Sequence, residues 1–248
     1  MTLIVKTFAE DPSLVGRLGE LEDDSFPAFL NEEPTWLSNQ TEILTRFSDF
    51  HFFILDSDTG EAAAVNVNVP LCWDKMPSDL PTYNGLLERC LVESRAGKHP
   101  TALVGILGAV APKYQGHGIS NLLLTATSKI LHEHAISSYL SPVRPSNKQL
   151  YPNFSFDEFL SWRTDDGDLV DPWLNHFIRI GAQRLGVAHD AITMTAPLTN
   201  WTEWTGMLFP VTGDYVIPGG HRLLRVDREK GVATYAEDHL WFDIPFSD

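Results

Sequence analysis

One stretch, residues 101–134, constrains the fold of this chain more than any other. It opens with the apolar run TALVGILGAV, which is typical of a strand buried on both faces. Pro112 follows and ends the strand, because proline has no N–H to give to a ladder. After a short loop, apolar residues recur at helical spacing and predict a helix with one buried face. Those residues are Ile119, Leu122, Leu123, Ala126 and Ile130.

The loop between this strand and this helix contains two glycines, Gly116 and Gly118. Glycine reaches backbone conformations that other residues avoid, and the first turn of the helix directs unpaired N–H groups at the loop. Together with the helix dipole, these groups predict a site for phosphate oxygens. An ordinary glycine turn between a core strand and a core helix is the structural alternative. A dinucleotide fingerprint fits less well, since its third glycine would fall at Asn121, and the GxxxxGK[ST] motif is absent.

The six loop residues Gln115, Gly116, His117, Gly118, Ile119 and Ser120 resemble motif A of the GNAT superfamily of acyl-CoA-dependent N-acyltransferases. The family pattern is Gln or Arg, two residues, Gly, one residue, then Gly or Ala; Ser120 departs from it at the last position. The resemblance implies that the N–H groups of this loop hold the pyrophosphate of coenzyme A. It also implies that Gly108 and Val110 on the preceding strand are backbone partners of pantetheine.

The same resemblance implies an α/β fold. We expect a mixed, mostly antiparallel sheet with a central splayed parallel strand pair, flanked by helices, and an extended C-terminal region. Residues 1–248 would form a single domain, with residues 1–154 as N-terminal arm and acyl-CoA-binding core. Residues 155–248 would add helices and a terminal β-hairpin, and segments there, such as DPWLNHFIRIGAQ, resemble ones in bacterial proteins of this superfamily.

Local patterns predict further elements along the chain. Helices are predicted at 12–21, 36–47 and 83–95, and Asp171 and Pro172 mark another helix start. Strands are predicted at 3–7, 51–55, 62–69, 135–140 and 191–197, and a hairpin at 221–227 and 232–243.

Acyl transfer from a thioester to an amine needs a proton acceptor for the amine, a donor for the carbonyl oxygen and an acid for the departing thiolate. In the family the acid is often a tyrosine after the next strand, here Tyr151. The base is often a Glu on the strand before the loop, but VGILGAV contains no carboxylate. Asp74 and Glu203 are therefore the candidate bases. Each of these three residues has a structural alternative: Tyr151 as a packed aromatic, and Asp74 and Glu203 as solvated or capping carboxylates.

Cations near the loop are candidates for the 3′-phosphate of coenzyme A, with ordinary surface charge as the alternative. They are Lys113, Arg144 and Lys148. Aromatic residues and two asparagines that share one strand face could wall an acceptor pocket, or could belong to the core. They are Phe26, Phe29, Trp36, Trp73, Asn66 and Asn68.

Composition narrows the function classes. The chain has 248 residues, 43% hydrophobic content and a net charge of −15, which argues against nonspecific nucleic-acid or anionic-membrane binding. Two cysteines, Cys72 and Cys90, without an export signal predict a reduced, cytoplasmic protein. The spacing of His132 and His134 does not suit a metal, so we expect none.

We therefore expect a transferase that moves an acyl group, most simply acetyl, from acyl-CoA to an amine of a small molecule by direct transfer. A second hypothesis is a non-catalytic acyl-CoA-binding or sensing module, supported by the missing strand carboxylate and the displaced Tyr151. A third is a scaffold that binds no nucleotide. A homodimer is compatible with the sequence.

Overall fold

The computed structural model describes residues 2–22 and 26–246. Its strands are β1 (Leu3–Thr7), β2 (Phe52–Asp56), β3 (Ala62–Leu71), β4 (Ala102–Val110), β5 (Ser138–Val143), β6 (Gln183–Pro197), β7 (Gly213–Tyr215), β8 (Leu224–Asp227) and β9 (Val232–Asp243). Its α-helices are α1 (Gly19–Glu22), α2 (Ala28–Asn31), α3 (Pro34–Arg46), α4 (Tyr83–Arg95), α5 (Ile119–Glu133), α6 (Phe156–Ser161), α7 (Pro172–Arg179) and α8 (Leu198–Thr205). Within these ranges, none of the helices has the length and apolar character that crossing a bilayer requires.

The strands of the described residues form one sheet, ordered β1-β2-β3-β4-β5-β9-β8-β7, and β6 pairs with β9. Neighbouring strands are antiparallel except β4 and β5, which pair in parallel over residues 102–104 and 138–140. Helix α5 makes the connection between these two strands, as a parallel crossover requires. The predicted mixed, mostly antiparallel sheet with one central parallel pair is confirmed.

Successive side chains of β3 point alternately into two apolar cores, one on each face of the sheet. Val65, Val67 and Val69 pack on one face of the sheet, in a cluster that includes residues of α3 and α4. The opposite face packs against α5 and α7. Because successive strand side chains point to opposite faces, Asn66 and Asn68 are directed towards the α5 side. The central sheet is thus covered by helices on both faces.

Several predicted elements have different bounds in the structure. Residues 12–21 form a 3₁₀ helix over Pro12–Arg17 followed by α1, and the glycines at 16 and 19 weaken a continuous α-helix. The strand predicted at 135–140 begins at Ser138, since Ala135 has φ of 53° just after α5. The strand predicted at 191–197 begins already at residue 183, because β6 pairs with β9 along its length through two register shifts.

A third apolar cluster lies towards the C-terminus around the fully buried Trp201 of α8. It joins Phe29 of α2 to residues of β6, β8 and β9, and the indole N–H of Trp201 donates to the carbonyl of Ala233 at 3.0 Å. Since β9 also pairs with β5, this cluster adjoins the central sheet. The assignment of residues 1–248 to a single domain stays a prediction.

Candidate active site

The parallel ladder between β4 and β5 ends after Val104 and Leu140, and the two strands then separate. Beyond this point β4 carries a bulge: Gly105 pairs with Asn68 and Leu107 with Val67, so Ile106 is the extra residue. Ser141 donates its hydroxyl to the carbonyl of Gly105 at 3.0 Å. A bulge changes the direction of the groups that follow it, here the backbone of β4 beside the gap.

A cleft of about 870 Å³ occupies the space between the separated strands. Because α5 and α7 pack on one face of the sheet and α3 and α4 on the other, a cleft with walls from all four helices passes through the sheet. The wall on the α5 and α7 side includes Leu123, Thr127, Trp173, His176 and Phe177. The wall on the other side includes Phe26, Glu33, Trp36, Tyr83 and His239.

The glycine loop forms one end of this cleft. Gly116 and Gly118 have φ of 77° and 76°, which favours glycine at both positions, and nothing lies within 4 Å of a Cβ placed on either. Gly118 is the N-cap of α5 and offers no side chain to its first-turn N–H groups. Open space in front of a helix N-terminus that no side chain caps is the geometry of an anion site.

The structure brings most of the predicted cofactor residues together. The cleft is lined by Gly108, Val110, Gln115, Gly116, Gly118, Ile119 and Ser120. His117 lies outside this lining, and its Nδ1 is 2.9 Å from the carbonyl oxygen of Gln115. Gln115 in turn donates its side-chain amide to the carbonyl of Val110 at 3.3 Å, which ties the loop to the end of β4.

Lys148 is not among the residues that line the cleft. Its side chain is fully buried, and its ammonium donates to the carbonyls of Tyr151 at 2.8 Å and His221 at 2.7 Å. Burial lowers the pKa of Lys148 to about 8. Since backbone carbonyls already hold the ammonium, the arrangement gives no support to a contact between Lys148 and a phosphate.

The two predicted catalytic residues also lie outside the lining of the cleft. The ring of Tyr151 packs edge-on against Trp162, with ring centroids 5.1 Å apart, and against Phe159. Asp74 is exposed, and its carboxylate accepts the backbone N–H of Met76 at 2.9 Å. Their catalytic roles stay predictions.

Other predicted residues divide between surface, core and cleft. Glu203 is exposed, and exposed Lys113 pairs with Glu61. Of the aromatic set, Phe26 and Trp36 line the cleft, whereas Phe29 and Trp73 lie elsewhere.

A polar cluster lies on the α5 side of the sheet where the strands part. Asn66 donates its side-chain amide to the hydroxyl oxygens of Thr127 at 3.1 Å and Tyr139 at 3.2 Å. Tyr139 donates to the amide oxygen of Asn68 at 3.3 Å. Asn66, Thr127 and Tyr139 all line the cleft, so this cluster gives its α5 side a fixed polar surface.

A second buried polar network lies on β9, and sequence reasoning missed it. The carboxylate of Glu237 is fully buried and accepts from Arg144 at 2.8 and 3.1 Å, from the hydroxyl of Tyr235 at 2.6 Å and from Nε2 of His239 at 2.9 Å. Burial raises the pKa of Glu237, but Arg144, with His221 and His239, outweighs burial and holds this pKa well below its usual range. The one available signal was the two-residue spacing of Glu237 and His239, which puts both on one face of a strand.

Arg144 and His239 are the members of this network that line the cleft. Tyr83 of α4 lies beside His239, with ring centroids 6.1 Å apart. Within the described residues, no group of three or more His, Cys, Asp or Glu side chains is arranged to hold a metal ion.

Comparison with known proteins gave the following. No family model matches the chain. A protein from Aspergillus versicolor named arginine N-acetyltransferase avaD is 23% identical over 246 residues, covering 87% of this chain and 83% of that protein. The GphF GNAT-like decarboxylase in complex with isobutyryl-CoA superposes with a TM-score of 0.55 at 16% identity, over 77% of this chain and 91% of that one. The loading GNATL domain of CurA from Lyngbya majuscula superposes with a TM-score of 0.52 at 12% identity, over 74% of this chain and 86% of that one.

Proposed function

We propose that this chain, which has the fold of the GNAT superfamily, is an acyl-CoA-dependent N-acyltransferase that transfers an acetyl group to an amine of a small molecule. One observation carries the proposal. A cleft passes through the sheet, with the glycine loop and the uncapped start of α5 at one end and aromatic and ionisable side chains on the opposite face.

The loop end suits the diphosphate of acyl-CoA. The N–H groups of residues 116–120 and the dipole of α5 attract its negative charge, and the space beside Gly116 and Gly118 leaves room for the oxygens. The backbone of β4 at Gly108 and Val110 borders the gap left by β5. An extended pantetheine arm that lies there can exchange amide hydrogen bonds with that edge.

The reaction needs a hydrogen-bond donor at the carbonyl oxygen of the thioester. A backbone N–H of β4 near residues 108–110 is fixed by the sheet and needs no reorganisation when negative charge develops on that oxygen. The amine approaches from the face that carries α3 and α4, so the two substrates meet within the sheet.

The acceptor is a cationic amine, of which arginine, named for the relative from Aspergillus versicolor, is an example. Glu33 supports this class, because its buried carboxylate lines the cleft and no described cation lies within 4 Å of it. Its oxygens accept N–H groups from Trp36 at 2.7 Å and from the side chain of Asn84 at 2.8 Å, which fix its position. The Trp36 ring beside it offers a face to a cation.

Tyr151 as acid and Asp74 as base belong to this proposal as predicted from the sequence. Tyr151→Phe keeps the ring and removes the hydroxyl, and Asp74→Asn keeps the size and removes the charge. A fall in kcat with unchanged acetyl-CoA affinity supports the role concerned. Unchanged turnover assigns that role to another residue.

The free thiols of Cys72 and Cys90 fit a reducing compartment, and we propose a cytoplasmic location. We also propose that a homodimer forms in solution, for which sedimentation of the purified chain is the measurement. A single monomer mass at all concentrations would contradict the dimer.

Turnover tests the function. Purified chain is incubated with acetyl-CoA and a panel of amines that includes arginine, polyamines and neutral amines, and products are identified by mass spectrometry. We expect an N-acetylated cationic amine and free coenzyme A in equal amounts. Binding of acetyl-CoA without turnover of any amine would contradict catalysis and favour the sensing module.

A further inference from the structure

We propose that His239 is the general base that takes the proton of the acceptor amine, and that Glu237 is the residue that positions it. This inference rests on the proposed acyl transfer. It also supplies a base where the strand before the loop contains no carboxylate.

The contacts of His239 define which ring nitrogen is free to accept a proton. Nε2 lies 2.9 Å from Oε1 of Glu237. Arg144 and the hydroxyl of Tyr235 both donate to this carboxylate, which is therefore ionised and can only accept. Nε2 of His239 must then carry the hydrogen, which leaves the lone pair on Nδ1.

Nδ1 of His239 has no hydrogen-bond partner within the described residues, although the atom is buried. His239 is 3% exposed and is one of the residues that line the cleft. Buried polar atoms in folded proteins are nearly always paired. An amine N–H bound in the cleft supplies the missing donor.

The surroundings of His239 suit the positive charge that its imidazole would gain with the proton. The ionisable groups in contact with it are Glu237 of β9 and Tyr83 of α4. Tyr235, Arg144 and His221 contact the same carboxylate of Glu237. Glu237 is in direct contact and stabilises an imidazolium, as the carboxylate does in a base–carboxylate pair. The Tyr83 ring contacts the ring of His239, and its neighbour Asn84 donates to Glu33, so the start of α4 contacts both residues.

The step balances as follows. The amine nitrogen forms a bond to the thioester carbon while Nδ1 of His239 takes its proton. The carbon–sulfur bond then breaks, and its electron pair leaves with the coenzyme A thiolate. The imidazolium returns its proton to the thiolate or to solvent, so no oxidant, reductant or metal is required.

Two other histidines are less suited to this role. His176 lines the cleft on the α7 side, where it stacks on Trp173 with ring centroids 5.2 Å apart. His221 lies with Nδ1 3.8 Å from Oε2 of Glu237, but it is not part of the cleft wall. Because His221 contacts the positioning carboxylate, the control is taken elsewhere: His132 is exposed on α5 and is not part of the cleft wall.

The test compares His239→Gln with His132→Gln. Glutamine at 239 can still donate an amide hydrogen to Glu237 but has no basic nitrogen. We expect the kcat of His239→Gln to fall by about 10²- to 10⁴-fold, and the acidic limb of its pH–kcat profile to disappear. Its affinity for acetyl-CoA should equal that of the wild type. His132→Gln should keep both the turnover and the acidic limb of the pH profile. Glu237→Gln should lower kcat more than it raises KM and should displace the acidic limb, which a purely structural role would not do.

The outcomes separate the two proposals. If the wild type acetylates an amine and folded His239→Gln does so equally well, His239 is not the base and the transferase assignment stands. If the wild type acetylates no amine in the panel, both proposals are contradicted. Should His239→Gln not fold, the acidic limb of the wild type is measured at several temperatures. An imidazole ionises with a substantial enthalpy and a carboxylate with almost none, so a temperature-independent limb would overturn the assignment.

Discussion

The hydroxyl oxygen of Tyr139 lies 2.6 Å from the point that a Cβ on Gly105 would occupy. Gly105 is the first residue of β4 after the parallel ladder ends, and Tyr139 lies on β5. Asn66 and Asn68 hold this hydroxyl by hydrogen bonds, so it cannot easily move aside. A residue without a side chain is therefore required where the two strands part.

Gly105→Ala should lower the free energy of unfolding by about 1–3 kcal/mol, because the added methyl overpacks a fixed polar cluster. Urea denaturation measures the change. Tyr139→Phe removes the clashing oxygen, and in the double variant part of the loss should return. If the two changes were simply additive, the contact between Gly105 and Tyr139 would not be the cause.

Gly118→Asp should abolish acetyl-CoA binding in isothermal titration. The substitution forces a side chain onto a φ of 76° and places a carboxylate before the N–H groups of α5. Gly231→Asp is a matched control, since Gly231 has φ of 69°, open space around it and a place in the turn before β9. Equal binding by the two variants would show that the loop does not hold the anion.

Arg144→Met should destabilise the chain by about 3–5 kcal/mol, since it leaves the buried charge of Glu237 without its main partner. The double variant Arg144→Met with Glu237→Leu removes both charges and should recover much of that stability. Thermal and urea unfolding give the free energies of unfolding of the wild type, the two single variants and the double variant. A double variant less stable than Arg144→Met would contradict this explanation.

Acid should destabilise the chain through His51. This fully buried ring accepts the N–H of Asn68 at 3.1 Å, and its Nε2 lies 3.2 Å from the carbonyl of Ile43. Burial lowers the pKa of His51 from 6.5 to about 4. Between these pH values the unfolded chain binds a proton that the folded chain does not. The stability is therefore complete above pH 6.5, and about 3 kcal/mol is lost as the pH falls to 4.

Urea denaturation across this pH window, in the wild type and in His51→Gln, isolates the contribution of His51. The variant should be less stable at neutral pH, since glutamine cannot reproduce both ring contacts, but its stability should depend less on pH. An identical pH dependence of the two proteins would show that another group is responsible.

The sequence predicted the parts of the fold that depend on neighbours in the chain. The apolar run of β4, the glycines at 116 and 118 and the periodicity of α5 are local, and the strand, glycine loop and helix follow from them. The surroundings of Lys148 were harder to predict because they depend on a distant contact. The ammonium of Lys148 donates to the carbonyl of His221, 73 positions away. The sequence around a lysine does not show whether its side chain will be buried by such a distant segment.

The buried network on β9 illustrates the same limit. Glu237 and His239 share a strand face, but charged residues on a terminal hairpin usually face solvent. Arg144, which neutralises Glu237, comes from the end of β5, 93 positions earlier. Only the pairing of β5 with β9 brings these side chains together and places His239 at the cleft.

The structure of a co-crystal with acetyl-CoA is the most direct test of whether the glycine loop and the cleft bind the cofactor. We expect the diphosphate on the N–H groups of residues 116–120, the pantetheine arm between β4 and β5, and the acetyl group inside the sheet, open to the face that carries His239. A cofactor bound with its diphosphate away from this loop, or lying wholly on one face of the sheet, would contradict it.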